Sequence, residues 1–260
     1  MDREPGPLYG KRILNPRAAG QARSYSGQIR QRGGIPVDIP LIQVSEPEDT
    51  ALIRETIDCL GDFDWIVLTS KNGVRYFSHF LKKYSGGKAV ALPKIAAVGS
   101  KTKEAVLEAG WAVDLIPEKF VAESLAEELI KWTGKNSRVL LARGNLARDV
   151  LPEALQAGGC EVLDIIFYKT DMNHAAKPQL EQAVMNGEID IFTFTSSSTV
   201  SSFIELLKDL PADKRTGGKV VACIGPIASG TAEKLGLKVD VIPETYTASG
   251  LLDALEAYCG

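Results

Sequence analysis

The chain repeats itself. Sliding the 260 residues against themselves by 126 positions aligns nearly everything without a gap. Asp64, Thr69, Ser70, Val74, Phe77 and Leu81 fall on Asp190, Thr195, Ser196, Val200, Phe203 and Leu207. Gly99, Gly110, Val113, Asp114, Ile116, Pro117 and Glu118 fall on Gly225, Gly236, Val239, Asp240, Ile242, Pro243 and Glu244. Arg12, Leu14, Arg17, Gly33 and Asp38 fall on Arg138, Leu140, Arg143, Gly159 and Asp164. One offset kept over so many positions marks a duplication, with copies at about 12–129 and 138–255. Whatever one copy builds, the other must build again.

Inside each copy, short apolar runs alternate with helical patterns. "IVLTS", "KIAAVG" and "AVDLIP" have the length and continuous apolarity of buried parallel strands. After "TS", Val74, Phe77, Leu81 and Tyr84 recur at helical spacing, as do Val200, Phe203, Leu207 and Leu210. "PEDTALIRETIDCL" predicts a further helix with Leu52, Ile53, Thr56, Ile57 and Leu60 on one side. Pro178 sits near a helix start, where its missing N–H costs nothing. The alternation predicts an α/β fold with right-handed crossovers. Two copies predict two similar layers, with a ligand between them. "IPVDIPLIQV" (35–44) and "EVLDIIFYKT" (161–170) break the pattern. Pro36 and Pro40 cannot donate ladder hydrogen bonds, so the first of these suits a sheet edge or a linker.

A net charge of −3 argues against a nucleic-acid partner, although local donors can still hold a small anion. No apolar run approaches the roughly 20 residues that span a bilayer, so no membrane partner is expected. "MDREPGPLYGKR" lacks the apolar centre of a signal peptide and reads as a short disordered lead-in to a cytoplasmic protein. Cys59, Cys160, Cys223 and Cys259 have no CxxC spacing, and His79 and His174 are the only imidazoles. No zinc or haem site is expected from that set. The cysteines read as buried reduced thiols, with a two-thiol racemase using Cys160 and Cys223 as the reactive alternative.

Ligands of open parallel sheets gather beyond the carboxyl ends of strands, where helices begin. Those points carry "NPR" (15–17), "TSKNG" (69–73), "VGSKT" (98–102), "ARGN" (142–145), "TSSST" (195–199) and "IGPIASGT" (224–231). Such residues leave N–H groups at a helix start able to meet an anion, and the helix dipole favours negative charge there. Ordinary N-capping needs the same residue types, and both readings stay open. Six such sites, interleaved with Arg17, Lys71, Lys101 and Arg143, favour a polyanionic ligand. "GPIASGT" lacks the lysine of a phosphate loop, no GxGxxG follows a strand, and "TSSS" lacks the G-x-S-x-G of a nucleophile elbow. The copies also differ: Tyr168 stands where the other copy has Ile42, and Thr102 where it has Ala228.

The chain resembles the uroporphyrinogen-III synthase family over nearly all its length. The resemblance rests on "DWIVLTSKNGVRYF", "IAAVGSKTKEAVLEAG", "LLARGNLARDVLPEALQAGGCEVLDIIFYKT", "FTFTSSSTVSSF" and "ACIGPIASGTAEKLG" in that order and spacing. It implies two similar flavodoxin-like parallel-sheet domains joined by a two-stranded linker. Residues 1–36 and 172–260 would form one discontinuous domain and 37–171 the other, with linkers at about 36–44 and 162–171. It implies a cofactor-free cyclising lyase of tetrapyrrole biosynthesis, closing hydroxymethylbilane to uroporphyrinogen III in the cleft between domains. The ring D end is inverted through a spiro intermediate. Tyr168 would donate to the departing hydroxyl, with Thr102 as the second catalytic residue. Substrate carboxylates would meet Ser70, Lys71 and Asn72, then Gly99, Ser100 and Lys101, and opposite them Ser196, Ser197 and Ser198. Arg17, Arg143, Gly144, Gly225, Ile227 and Ala228 complete the expected set. Relatives often carry threonine where this chain has Ile227 and Ala228, which leaves open whether Thr231 replaces it. The expected state is a monomer, with hand-off from hydroxymethylbilane synthase as a route of supply. The rival reading is a non-catalytic two-domain binding protein for a carboxylate-rich small molecule.

Overall fold

Four-residue apolar runs set most of the strands. In the computed structural model, which describes residues 6–88 and 90–260, β1 (Arg12–Asn15), α1 (Ala19–Gln31) and β2 (Ile35–Asp38) come first. β3 (Ile42–Ser45) and α2 (Ala51–Asp58) lead to β4 (Trp65–Leu68), α3 (Lys71–Tyr84), β5 (Lys94–Ala97), α4 (Ser100–Glu108) and α5 (Ala122–Trp132). β6 (Arg138–Gly144) and α6 (Val150–Ala157) precede the long β7 (Glu161–Met172). α7 (Lys177–Met185), β8 (Ile191–Phe194), α8 (Ser197–Leu206) and a short α9 (Ala212–Thr216) follow. β9 (Val220–Cys223), α10 (Pro226–Lys234) and α11 (Ala248–Cys259) close the chain. β4 and β8, β5 and β9, and α4 and α10 begin and end 126 residues apart.

The chain divides into two compact units. One runs to Gln43 and resumes over Asp171–Gly260; the other is Val44–Thr170. The first holds a sheet of order β2-β1-β8-β9, with β1 parallel to both neighbours and β8 parallel to β9. The second holds the order β3-β7-β6-β4-β5, parallel from β7 to β5. Proline-bearing β2 and short β3 take edge positions, where a missing N–H breaks no ladder.

Both faces of each sheet are covered, so the inner strands β4 and β8 are buried along their whole length. In the first unit Leu14, Phe192 and Val221 face Phe203, while Ile13, Ile191 and Ala222 face Tyr25, Ile29 and Leu251. In the second, Ile66 and Leu68 pack with Phe77 and Phe80; Trp65 and Val67 pack with Leu125 and Leu129. Each such buried aromatic or aliphatic side chain contributes about 1.5–3 kcal/mol.

Three expectations need correction. "AVDLIP" and its copy form no strand beyond single bridges, Ala96 to Leu115 and Ala222 to Val241. The Asp114 carboxylate takes the Ile95 N–H at 2.8 Å and that of Asp240 takes the Val221 N–H at 3.0 Å, so a side chain stands in for one ladder bond in each copy. Leu52 is half exposed, because the buried face of α2 runs through Ile53, Thr56 and Ile57 at helical spacing. Of the expected disordered lead-in, residues 1–5 lie outside the described residues, and from Gly6 the expectation fails. Leu8 is fully buried with Ile13, Tyr25 and Leu255, and apolar burial there outweighs the polar composition. Among the described residues, no helix is long and apolar enough to cross a membrane.

Asp190, just before β8, ties it to the start of β1. Its carboxylate accepts from the Arg12 N–H and Nε at 2.9 and 3.0 Å and from Nη2 at 2.9 Å. The Arg12 guanidinium, against a smaller burial penalty, holds the Asp190 carboxyl at about 2, below its usual 3.8. A depressed folded value means stability that is complete above the unfolded value of about 3.9 and lost as pH falls through about 2. Asp190→Asn is expected to cost about 1–2 kcal/mol at pH 7, after allowance for solvent screening. It should also flatten the dependence of Tm on pH between about 4 and 2; an unchanged slope in acid melts would refute the assignment.

Candidate active site

Parallel pairing puts the carboxyl ends of β1, β8 and β9 along one edge of their sheet, and those of β4, β5 and β6 along one edge of the other. All six polar turns found in the sequence lie at these edges, and they are of two kinds. The α3 and α8 starts are capped from within: Ser70 Oγ accepts from the Gly73 N–H at 2.9 Å, and Ser196 Oγ from the Thr199 N–H at 3.2 Å. Ser198 Oγ lies 2.9 Å from Ser196 Oγ, so two of the three consecutive serines are joined in that cap. The α4 and α10 starts have no side-chain cap, because Gly99 and Gly225 occupy the N-cap positions. The N–H groups of Ser100 and Lys101, and of Ile227 and Ala228, meet no acceptor among the described residues. The N–H groups of Lys71 and Asn72, and of Ser197 and Ser198, are likewise open among the described residues, since each serine cap takes only one amide.

Tyr168 has a built seat. On β7 the pairing with β6 shifts after Arg143, so that Gly144 comes to lie opposite Tyr168. A Cβ on Gly144 would stand 2.5 Å from Tyr168 Cζ and 2.9 Å from its Oη, so only glycine lets the phenol lie there. The ring stacks on Tyr76 of α3 at a 5.6 Å centroid separation and 17° tilt. Tyr76 is fixed in turn by donating to the Val44 carbonyl at 2.8 Å. Tyr168 Oη is 2.9 Å from Ser70 Oγ, the hydroxyl that already caps α3. The strand is pinned just beyond by Asn145, whose Oδ1 accepts from the Thr170 N–H at 2.8 Å.

The two repeated arginines have opposite surroundings. Arg143 is nearly buried, and its Nε and Nη2 donate to Asp164, at 2.6 Å from Nε. Nη2 also donates to Asp149 at 2.8 Å, and Nη1 to the Ala147 and Arg148 carbonyls at 3.0 and 2.9 Å. The Asp164 hydrogen bonds raise its pKa against burial, and no N–H is left for a ligand. In the other unit the matching acid, Asp38, instead accepts from Asn15 at 2.8 Å and Ser26 at 2.5 Å. Arg17 is left with Gln21 at 2.6 Å and no carboxylate partner among the described residues. Its Nε is buried with no acceptor among the described residues, and burial pulls its pKa below the usual arginine value.

The family model described as Uroporphyrinogen-III synthase HemD matches residues 23–253. The chain belongs to the uroporphyrinogen-III synthase family. It is an enzyme of tetrapyrrole biosynthesis, a cyclising lyase. The uroporphyrinogen-III synthase of Synechococcus elongatus is 32% identical over 256 residues, covering 97% of each chain. The uroporphyrinogen-III synthetase structure from Helicobacter pylori superposes with a TM-score of 0.62 at 14% identity, over 96% of this chain and 99% of that one. A mutant uroporphyrinogen III synthase from Thermus thermophilus gives 0.61 at 20% identity, over 95% and 98%. Both likenesses carry the mixed α/β fold with parallel sheets.

Within the uroporphyrinogen-III synthase framework, the expected residues separate by availability. Thr102 is buried at the open α4 start, and its hydroxyl has no hydrogen-bond partner among the described residues. Lys101 is exposed, and Lys71 pairs with Glu104 at 3.9 Å. Asn72 is half-buried in the first turn of α3 and Ser197 in that of α8. Arg143, expected to meet substrate, is instead a clamp on its own turn, and Gly144 is the floor under Tyr168. Thr231 donates to the Ile227 carbonyl at 2.9 Å inside α10, which occupies its proton. Cys223 is buried, which pushes its thiol up to about 12, so the two-thiol racemase loses its thiolate. Tyr76 carried no signal in the sequence, and Asn145 was marked only as part of the "ARGN" turn, because a β-shift and a stacking partner are set by packing alone. Gly144→Ala is expected to displace the Tyr168 ring and cost about 1–3 kcal/mol through overpacking. A crystal structure of the variant with the phenol unmoved would contradict this seat.

Proposed function

We propose that the chain converts hydroxymethylbilane to uroporphyrinogen III, with Tyr168 as the acid that assists departure of the terminal hydroxyl. The observation that carries this is the Tyr168 hydroxyl, held 2.9 Å from the N-cap Ser70 at the carboxyl edge of its sheet. When the Ser70 hydroxyl donates to Tyr168, the phenol proton is free to go elsewhere. The Ser70 Oγ still accepts from Gly73, so the arrangement leaves the cap intact.

In this reading the C–O bond of ring A breaks as Tyr168 gives its proton, and water leaves. The azafulvene that remains is attacked by the substituted carbon of ring D. The spiro species then reopens and closes with ring D inverted, and the proton lost from the ring restores Tyr168. Closure without the enzyme gives the unrotated isomer, so the principal contribution is positioning, with acid assistance of about 10²–10⁴-fold at most. Substrate carboxylates are met by open amides at helix starts, such as those of Ser100 and Lys101. Arg17 supplies the guanidinium left without an acid, and Thr102 the unpartnered hydroxyl. The finer architecture is read as two flavodoxin-like copies, since each unit repeats the order second-first-third-fourth among its parallel strands.

Tyr168→Phe should leave Tm close to wild type and slow turnover from hydroxymethylbilane by about tenfold or more. Unchanged turnover would remove the acid role. Arg17→Gln should raise KM about tenfold with little change in kcat, the size of one lost charge-assisted hydrogen bond. A matching fall in kcat at unchanged KM would assign Arg17 to the chemical step instead. Isomer analysis of the porphyrin formed with and without the protein tests the whole reading: an unaltered ratio leaves only a binding protein.

A further inference from the structure

The open helix starts carry a second feature that the reaction scheme above does not use. Gly99 and Gly225 have extended backbones that any residue adopts, with φ of −161° and 177°. What stands against each is an aromatic ring. A Cβ on Gly225 would meet the Tyr246 ring at 3.2 Å, and one on Gly99 would meet Phe120 at 3.5 Å. Phe120 and Tyr246 are 126 residues apart, so both copies place an aromatic side chain over the same turn. Neither ring is buried by this contact: Phe120 is 57% exposed and Tyr246 61%.

Phe120 lines a cavity of about 320 Å³ in the second unit. Val98, Val121 and Leu146 share that wall, and the rim carries Arg148. Val121 and Leu146 are exposed like Phe120, so the apolar surface is contiguous instead of scattered. Arg148 is 69% exposed and, among the described residues, its one acid partner is Glu123 at 3.3 Å, an exposed pair that a stronger acid contact can replace. An apolar aromatic wall with a loosely held guanidinium at its rim complements a flat heteroaromatic ring bearing carboxylate arms.

We infer that Phe120 is a substrate-contacting residue, its ring taking the face of one pyrrole of the linear tetrapyrrole while Arg148 meets an acid arm. The inference rests on the reaction proposed above and adds to it a site that selects for the ring, where the open amides select for charge. Aromatic contact adds to affinity beyond area burial and fixes the tilt of the ring. Tyr246 has the same place over Gly225 in the other unit.

The test compares wild type, Phe120→Ala and Phe120→Trp with hydroxymethylbilane as substrate, reading KM, kcat, porphyrin isomer ratio and apo Tm. Phe120→Ala is expected to raise KM about five- to tenfold with apo Tm close to wild type, and Phe120→Trp to restore KM. An unchanged KM in Phe120→Ala overturns the inference while wild-type activity keeps the proposed reaction standing. A KM that rises in step with a falling Tm, without rescue by tryptophan, also overturns it, since the ring would then only support the Gly99 turn. Wild type that leaves the isomer ratio unaltered overturns the reaction and this inference together.

Discussion

Parallel pairing governs this molecule. Because β1, β8 and β9 run the same way, every strand-to-helix turn in that unit is delivered to one edge of the sheet, and the same holds for β4, β5 and β6. The opposite edge is where the chain enters its strands, and there Asp190 grips Arg12 while Asp64 accepts the Arg138 N–H at 2.9 Å. Anchoring and chemistry are thereby separated along the strand direction. Polar groups that would be costly within the doubly covered sheet can collect at an edge that water or a ligand reaches.

Duplication supplied two such edges, and side-chain divergence gave them different properties. The arginine at the carboxyl end of the first strand of each copy is retained, yet its fate depends on a single acid. Asp164 points its carboxylate at Arg143 and locks it; Asp38 is diverted by Asn15 and Ser26, which frees Arg17. A backbone repeat therefore does not imply a functional repeat. The helix starts divide in the same manner, since each serine N-cap takes one amide three residues on with its hydroxyl and a glycine has no side chain to offer.

The Tyr168 seat joins these themes. A strand shift, a glycine without a side chain, a stacked tyrosine and a helix cap act on one phenol from separate elements. Ser70 lies at the positive end of α3, where a developing phenolate is favoured. Such over-determination matters for a reaction in which the protein must choose one ring closure over an easier one. Orientation is worth more here than acid strength, and rigid support is how orientation is held.

The repeat, the α/β alternation and the six polar turns were legible in the chain alone, because periodicity and helix-start chemistry are local properties. Through the places where the copies differ and through family resemblance, the sequence offered Tyr168 and Thr102 as candidates. It could not tell Arg17 from Arg143, since both stand at the carboxyl end of a first strand and differ in which carboxylate packing brings close. It read "TSSST" as either cap or anion cradle, and hydrogen-bond geometry assigned Ser196 to the cap. Leu8 and the abortive strand at 112–117 were misjudged because burial of one leucine and capture of one amide by Asp114 are tertiary events. Gly144 beneath Tyr168, and Phe120 over Gly99, exist only once distant segments meet. Contacts between residues far apart in the chain leave no period to read, and they are what the fold alone decides.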